Sequence, residues 1–81
     1  MSNEVNFDLL RQEMVERQLL PRGINDQKVI EVFRNIPRHK FIPLEYKKTS
    51  YGDFPLPIGS EQTIPQPYIV ALMTQALDLK N

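Results

Sequence analysis

The sequence predicts an α-rich α+β fold with three helices, one or two single helical turns and a small β-hairpin. Segments near both ends carry apolar residues at helical spacing. All 7 prolines lie between positions 21 and 67, so they divide the middle of the chain into short pieces and leave its ends uninterrupted. Turn residues and short apolar runs over residues 51–64 favour a hairpin rather than another helix.

The first helix is predicted over residues 7–20, after a flexible tail at residues 1–6. Asn6 is placed to cap it by accepting a hydrogen bond from an early backbone N–H. Pro21 and Gly23 then end it. The face predicted to be buried holds five apolar residues: Phe7, Leu10, Met14, Val15 and Leu19.

A second helix is predicted over residues 27–36, with Asp26 as its N-cap and Pro37 at its end. The stretch 38–48 is too short between prolines for a long helix, so one or two single turns are expected there. The apolar positions of the second helix are Val29, Ile30, Val32, Phe33 and Ile36.

The hairpin follows the turn signal Tyr51-Gly52-Asp53. Two short extended pieces, around 56–58 and 63–64, are expected to join near Gly59-Ser60. Pro55 and Pro57 confine the first piece to an edge strand, because proline cannot donate to a sheet.

The last helix is predicted over residues 66–79, with Pro67 in its first turn. It is apolar nearly all round, so it should be covered on more than one side. This predicts either missing partner structure or a homo-oligomer formed through the helix. Its apolar residues are Ile69, Val70, Leu72, Met73, Ala76, Leu77 and Leu79.

Composition limits the chemistry that the chain can carry. The 81 residues suffice for one marginally stable domain. With no Cys and one His, the sequence offers no disulfide, no thiolate nucleophile and no zinc site without carboxylate help. Ten basic and ten acidic residues balance, which argues against non-specific nucleic-acid binding. No apolar run or signal peptide suggests a membrane, so we expect a soluble, cytoplasmic chain.

Several motifs stand in one collinear order within residues 14–43 and 55–79. They are Arg22-Gly23-Ile24, Pro37-Arg38-His39-x-Phe41-x-Pro43, Pro55-Leu56-Pro57-Ile58-Gly59, Gln62-Thr63-Ile64 and Gln66-Pro67. In these motifs the chain resembles the N-terminal portion of bacterial protein-L-isoaspartate O-methyltransferases.

The resemblance implies an activity in protein repair. Enzymes of that family transfer a methyl group from S-adenosylmethionine to the α-carboxylate of isoaspartyl residues in aged proteins and peptides. By the same resemblance, Gln62, Thr63 and Ile64 form the edge of the site where substrate and cofactor meet. Because the accepting carboxylate is already ionised near pH 7, such a site must align it rather than deprotonate it.

The chain departs from the family in its cofactor site. The family's Rossmann-like sheet needs about 30 or more residues for each βαβ unit, and its Gly-rich turn has no counterpart among the 3 glycines here. We therefore expect residues 7–81 to form a single unit without the cofactor-binding domain. Alone it should bind no S-adenosylmethionine and be inactive, as a truncated N-terminal segment.

A second departure lies at the end of the hairpin, where the family has Thr-Ile-Ser with the serine at the methyl-transfer site. Here Pro65 follows Ile64, so no catalytic residue is assigned. Proline supplies neither a hydroxyl nor a backbone N–H, and it cannot replace a serine that would also cap the last helix. Glu61 stands where many relatives carry a second glycine.

Other candidate residues have structural interpretations. His39 lies among Pro37, Arg38 and Phe41, which favours a structural corner over catalysis. Tyr46, Tyr51 and Tyr68 are expected to pack with their hydroxyls outward rather than to stack on a ligand. Seven basic residues within 22–48 favour a solvated face over a nucleic-acid site: Arg22, Lys28, Arg34, Arg38, Lys40, Lys47 and Lys48. A non-enzymatic interaction module remains the main alternative to a methyltransferase segment.

Overall fold

The computed structural model describes residues 5–59 and 61–78, which form three helices and one hairpin in the predicted order. Predicted features at residues 1–4, Ser60 and Leu79 lie outside the described residues. The helices are α1 (Phe7–Met14), α2 (Gln27–Asn35) and α3 (Pro67–Asp78). The antiparallel strands are β1 (Leu56–Gly59) and β2 (Gln62–Ile64). Two 3₁₀ turns, Arg38–Phe41 and Leu44–Thr49, confirm the predicted single turns.

The first helix begins where the sequence predicts but changes its geometry after two turns. Asn6 accepts a hydrogen bond from the Leu9 amide at 3.0 Å, which confirms the N-cap. From Val15 to Leu19 the chain forms a π turn, and a 3₁₀ turn completes the segment at Leu20–Arg22. Apolar spacing cannot distinguish these helix types, because Val15 and Leu19 face the core in either one.

The core lies where α1 and its π turn pack against α2 and α3. Its buried members are Met14, Val15, Leu19, Ile24, Val29, Ile30, Tyr51 and Ala71. Phe7, Leu10 and Phe33 pack against this cluster, as their positions predict. The predicted apolar face of α2 is only partly covered, since Val32 and Ile36 are exposed.

The side chain of Gln75 joins α3 to the loop before α2. Its Oε1 accepts hydrogen bonds from the backbone amides of Asn25 and Asp26, at 2.8 and 2.9 Å. Its Nε2 donates to the Gly23 carbonyl at 3.1 Å. Gln75 is only 8% exposed, so these three bonds satisfy a buried side chain and fix the helix against the loop.

Replacing Gln75 by leucine should destabilise the fold by about 2–4 kcal/mol, because the main-chain groups at residues 23, 25 and 26 lose their partner in a partly buried place. Urea unfolding of the variant measures this loss. The neighbouring exposed substitution Thr74→Ala should stay within about 0.5 kcal/mol of the parent chain. Equal stability of Gln75→Leu and the parent would refute the role of the side chain.

His39 occupies a structural corner, as predicted. Its ring stacks on Phe7 with ring centroids 4.0 Å apart, and its Nδ1 lies 3.0 Å from the Tyr51 hydroxyl. That hydroxyl accepts from Arg11 Nη1 at 3.4 Å, so its own proton is available to His39. Tyr51 therefore packs with its hydroxyl inward, so the prediction of an outward hydroxyl is wrong for this residue. Its hydroxyl favours a neutral imidazole with the proton on Nε2.

The pKa of His39 is lowered, first by burial and then by the cations Lys47, Arg11 and Lys40; the Asp8 carboxylate opposes them. The unfolded chain therefore binds this proton more readily than the folded chain. The free energy of unfolding should be largest above the pKa of about 6.5 that His39 has in the unfolded chain. It should decline as pH falls from there toward the pKa of His39 in the folded chain. Urea unfolding measured between pH 7.5 and 5.5 gives the slope of the free energy of unfolding against pH, and His39→Gln should reduce that slope. An unchanged slope in that variant would assign the effect to another group.

Candidate functional site

The edge predicted to hold substrate, Gln62–Ile64, is strand β2 of the hairpin. Thr63 is opposite Pro57 in the register, and Ile64 is opposite Leu56. Gln62 and Thr63 are exposed, whereas Ile64 is half-buried. Leu56 is buried and anchors the hairpin to the body, so Gln62 and Thr63 project from a fixed base.

The turn of the hairpin places two residues in the left-handed region. Gly59 has φ +103° and Glu61 has φ +61°. The register shifts between Pro57 and Gly59, so Ile58 is an extra residue on β1. Glycine accepts such a φ freely, but a residue with a Cβ is strained there. Glu61 is thus at a position where glycine fits better.

Pro65 lies in the short link between β2 and α3, and its carbonyl is bound by the 3₁₀ turn Arg38–Phe41. That oxygen accepts a hydrogen bond from Arg38 Nη2 at 2.9 Å. The amides of Ile69 and Val70 both donate to the Gln66 carbonyl, at 3.1 and 3.3 Å, so Gln66 is the N-cap residue of α3. The prediction that residue 65 caps this helix is therefore wrong by one position, and Pro65 removes no cap.

Asp53 links three segments around the hairpin. Arg22 binds it through two parallel hydrogen bonds, Nη1 to Oδ1 at 2.9 Å and Nη2 to Oδ2. Gln66 Nε2 also donates to Oδ1, at 3.3 Å. The Arg22 guanidinium lies 5.0 Å from the centre of the Tyr68 ring. The bonds from Arg22 lower the pKa of Asp53, so the pair stays ionised at neutral pH.

An apolar groove of about 330 Å³ runs beside the hairpin between α2 and α3. Ile64 lines it from β2, Arg38 and Phe41 from the 3₁₀ turn Arg38–Phe41, and Val70 from α3. Phe41 is among the most exposed apolar side chains beside it, 69% accessible. The groove therefore leaves apolar surface of the hairpin, α2 and α3 uncovered by the residues described.

The described part of the chain supplies few other candidates for chemistry. Within residues 5–59 and 61–78, no three His, Asp or Glu side chains come together as metal ligands would. None of the helices within these residues has the length and hydropathy of a transmembrane span. Of the basic residues in 22–48, Arg22, Arg34, Arg38 and Lys47 each donate to other parts of the chain.

Comparison with known sequences shows the family of the chain that carries this hairpin. The sequence profile of the Protein-L-isoaspartate(D-aspartate) O-methyltransferase family matches residues 10–81. The chain belongs to that family. The match includes the whole of the hairpin, the groove and α3, so the methyltransferase resemblance of the motifs is confirmed.

Individual relatives agree across most of the chain. Protein-L-isoaspartate O-methyltransferase 1 of Syntrophobacter fumaroxidans is 54% identical over 77 residues, 95% of this chain and 36% of the relative. The corresponding proteins of Geobacter metallireducens and Methanoculleus marisnigri are 49% and 52% identical, over 77 and 71 residues. These matches cover 95% and 88% of this chain, and 36% and 32% of those relatives. The chain spans about a third of the length of the curated methyltransferases it matches.

The structure gives physical roles to residues of the motif Arg22-Gly23-Ile24. Arg22 binds Asp53, Gly23 adopts φ +90° where the 3₁₀ turn ends, and Ile24 is buried in the core. The sequence indicates the motif but not that Asp53 is the partner of Arg22. Nor does it indicate that Arg38 and Gln75 link separate segments, because they bind main-chain groups, which every residue carries and which the pattern of side chains does not report.

Replacing Glu61 by glycine should stabilise the methyltransferase hairpin by about 0.5–1 kcal/mol, because it removes the strain of a Cβ at positive φ. Thermal unfolding measures the gain. Glu45→Gly is the matched control: Glu45 lies in a 3₁₀ turn, so glycine there should destabilise the chain. A loss of stability in both variants would contradict the assigned strain.

Proposed function

We propose that this chain is the N-terminal part of a protein-L-isoaspartate O-methyltransferase and supplies one wall of its substrate site. The wall is the edge Gln62–Ile64 of the hairpin, in which Gln62 and Thr63 are exposed and Ile64 is half-buried. The substrates are isoaspartyl residues of damaged proteins or peptides. Membership of the family across residues 10–81 carries the proposal. A role in cytoplasmic protein repair belongs to the same proposal.

The described residues do not fit the methyl donor, S-adenosylmethionine. Their single sheet is an antiparallel hairpin, and none of the three glycines lies between a parallel strand and a helix. Gly23 ends a 3₁₀ turn, Gly59 turns the hairpin, and Gly52 packs so closely under Phe54 that a Cβ would collide with the ring. We assign the donor to residues outside this set, and the chain alone is proposed to be inactive.

The contribution of these residues is alignment of the carboxylate. A carboxylate is ionised near neutral pH, so the site needs hydrogen-bond donors at a fixed edge rather than a base. Gln62 and Thr63 have exposed polar side chains on β2, and Leu56 fixes the hairpin beneath them. Pro65 offers no hydroxyl at the neighbouring position, so the edge has fewer donors than the family's serine would provide.

The isolated chain should transfer no methyl group from S-adenosylmethionine to an isoaspartyl peptide. A chimera should do so when this chain is joined to the part of the Syntrophobacter fumaroxidans relative beyond the matched residues. Both are assayed with labelled donor, and that remaining part alone is the control. Turnover by the isolated chain would refute the proposal that methyl transfer needs residues beyond those of this chain.

Two further outcomes bear on the wall itself. A folded chimera without activity would overturn the proposal that Gln62–Ile64 serves the site. Within an active chimera, Pro65→Ser should raise kcat by up to about tenfold, the effect of one hydrogen bond of about 1.4 kcal/mol made in the transition state. Pro21→Ser, in the distant 3₁₀ turn, should leave kcat unchanged.

A second function, self-association through α3, is favoured by the exposure of its apolar side chains. Met73 and Leu77 are 60% and 65% exposed, and Ile69 and Leu72 are also exposed to solvent. Such a surface on one helix suits a homo-oligomer or another binding partner. In this reading the chain is a non-enzymatic interaction module.

Sedimentation equilibrium separates this function from the first. Self-association should appear for the parent chain and weaken in Met73→Glu, because a charge on the contact surface must be desolvated. Leu9→Glu, on the exposed face of α1, is the matched control and should associate like the parent. A monomeric parent chain at the highest soluble concentration would exclude the module.

A further inference from the structure

One buried side chain, Arg38, joins three separate segments next to the substrate edge. It belongs to the 3₁₀ turn Arg38–Phe41 and is 9% exposed. Its Nε donates to the Ser50 carbonyl at 2.5 Å, and its Nη2 donates to the Pro65 carbonyl at 2.9 Å. Ser50 is fully buried, so one end of this bridge is fixed in the interior and the other end lies directly after β2.

The chemistry of this bridge is unusual for a buried cation. Both acceptors are neutral carbonyls, and the two ion pairs recorded among the described residues involve Arg11 and Arg22 instead. Burial lowers the pKa of Arg38, while the nearby Tyr51 opposes the shift. A planar guanidinium holds two acceptors at fixed directions, which a lysine ammonium does not. The side chain is therefore suited to fixing the Pro65 carbonyl relative to Ser50.

We propose that Arg38 is a positioning residue for the substrate edge, an inference that rests on the proposed function. It holds the carbonyl of Pro65 and thereby sets where Gln62–Ile64 lies against the body of the chain. Because it binds main chain, it acts in the same way whether residue 65 is serine or proline. Ile64 and Arg38 also line the same apolar groove, so a shift of Arg38 changes the surroundings of Ile64.

The first test needs no enzymatic activity. Amide hydrogen exchange is measured on the full chain, on Arg38→Met and on Arg38→Lys. Arg38→Met should speed exchange of the β2 amides at least tenfold and leave the core amides of α1 and α2 within twofold. Arg38→Lys keeps one donor and the charge, so it should fold and show a smaller change confined to the same strand.

Arg34→Met is the matched control for this test. Arg34 Nη1 donates to Gln12 Oε1 at 2.7 Å and thus joins α2 to α1, away from the hairpin. Its loss should change exchange in those helices and not in β2. Unchanged β2 exchange in Arg38→Lys and Arg38→Met, or a uniform increase along the chain, would overturn the positioning role. Should Arg38→Met fail to fold, Arg38→Lys decides.

The second test uses the chimera described above. Arg38→Lys should raise KM for an isoaspartyl peptide at least fivefold while KM for S-adenosylmethionine stays within twofold, since the substrate edge moves and the donor site does not. Arg34→Lys should change neither value. An inactive parent chimera counts against the proposed function and leaves the exchange result standing. An active chimera whose peptide KM ignores Arg38→Lys overturns the inference alone.

Discussion

The fork of hydrogen bonds made by Gln75 is the constraint on which the arrangement of the chain depends. α3 carries apolar residues on most sides, so burial alone leaves its rotation about its own axis poorly specified. Three directed bonds to main-chain groups of Gly23, Asn25 and Asp26 select one rotation. That rotation places Ala71 in the core and turns Met73 and Leu77 outward. Because α3 is fixed, the end of β2 that leads into it is fixed as well.

The hairpin is held by its two ends rather than by its strands. A two-stranded sheet has little stability of its own. Before β1, Asp53 is bound by Arg22, and after β2 the carbonyl of Pro65 is bound by Arg38. Leu56 supplies the buried contact between these points. The exposed polar edge can therefore keep a defined place without a large apolar interface beneath it.

The sequence predicts the elements well because the signals for them are local. Asn6 and Asp26 cap helices where expected, and the hairpin follows the predicted turn at residues 51–53. The exposure of Val32 and Ile36 could not be read from spacing, since periodicity reports which side is apolar and not whether anything covers it. Only the family resemblance points to the edge Gln62–Ile64. The sequence does not indicate Arg38 as its support, because the partners of Arg38 are carbonyls distant in sequence.

The π turn at Val15–Leu19 has a consequence for the register of everything after it. A π turn holds one residue more than an α turn over a similar length, and each residue of an α-helix advances the chain by about 100°. The extra residue therefore sets the angular phase at which the segment Leu20–Arg22 leaves the helix. Arg22 reaches Asp53 from that phase. Removing one residue from this turn would rotate the segment that follows by about 100° about the helix axis, and Arg22 would point away from its carboxylate.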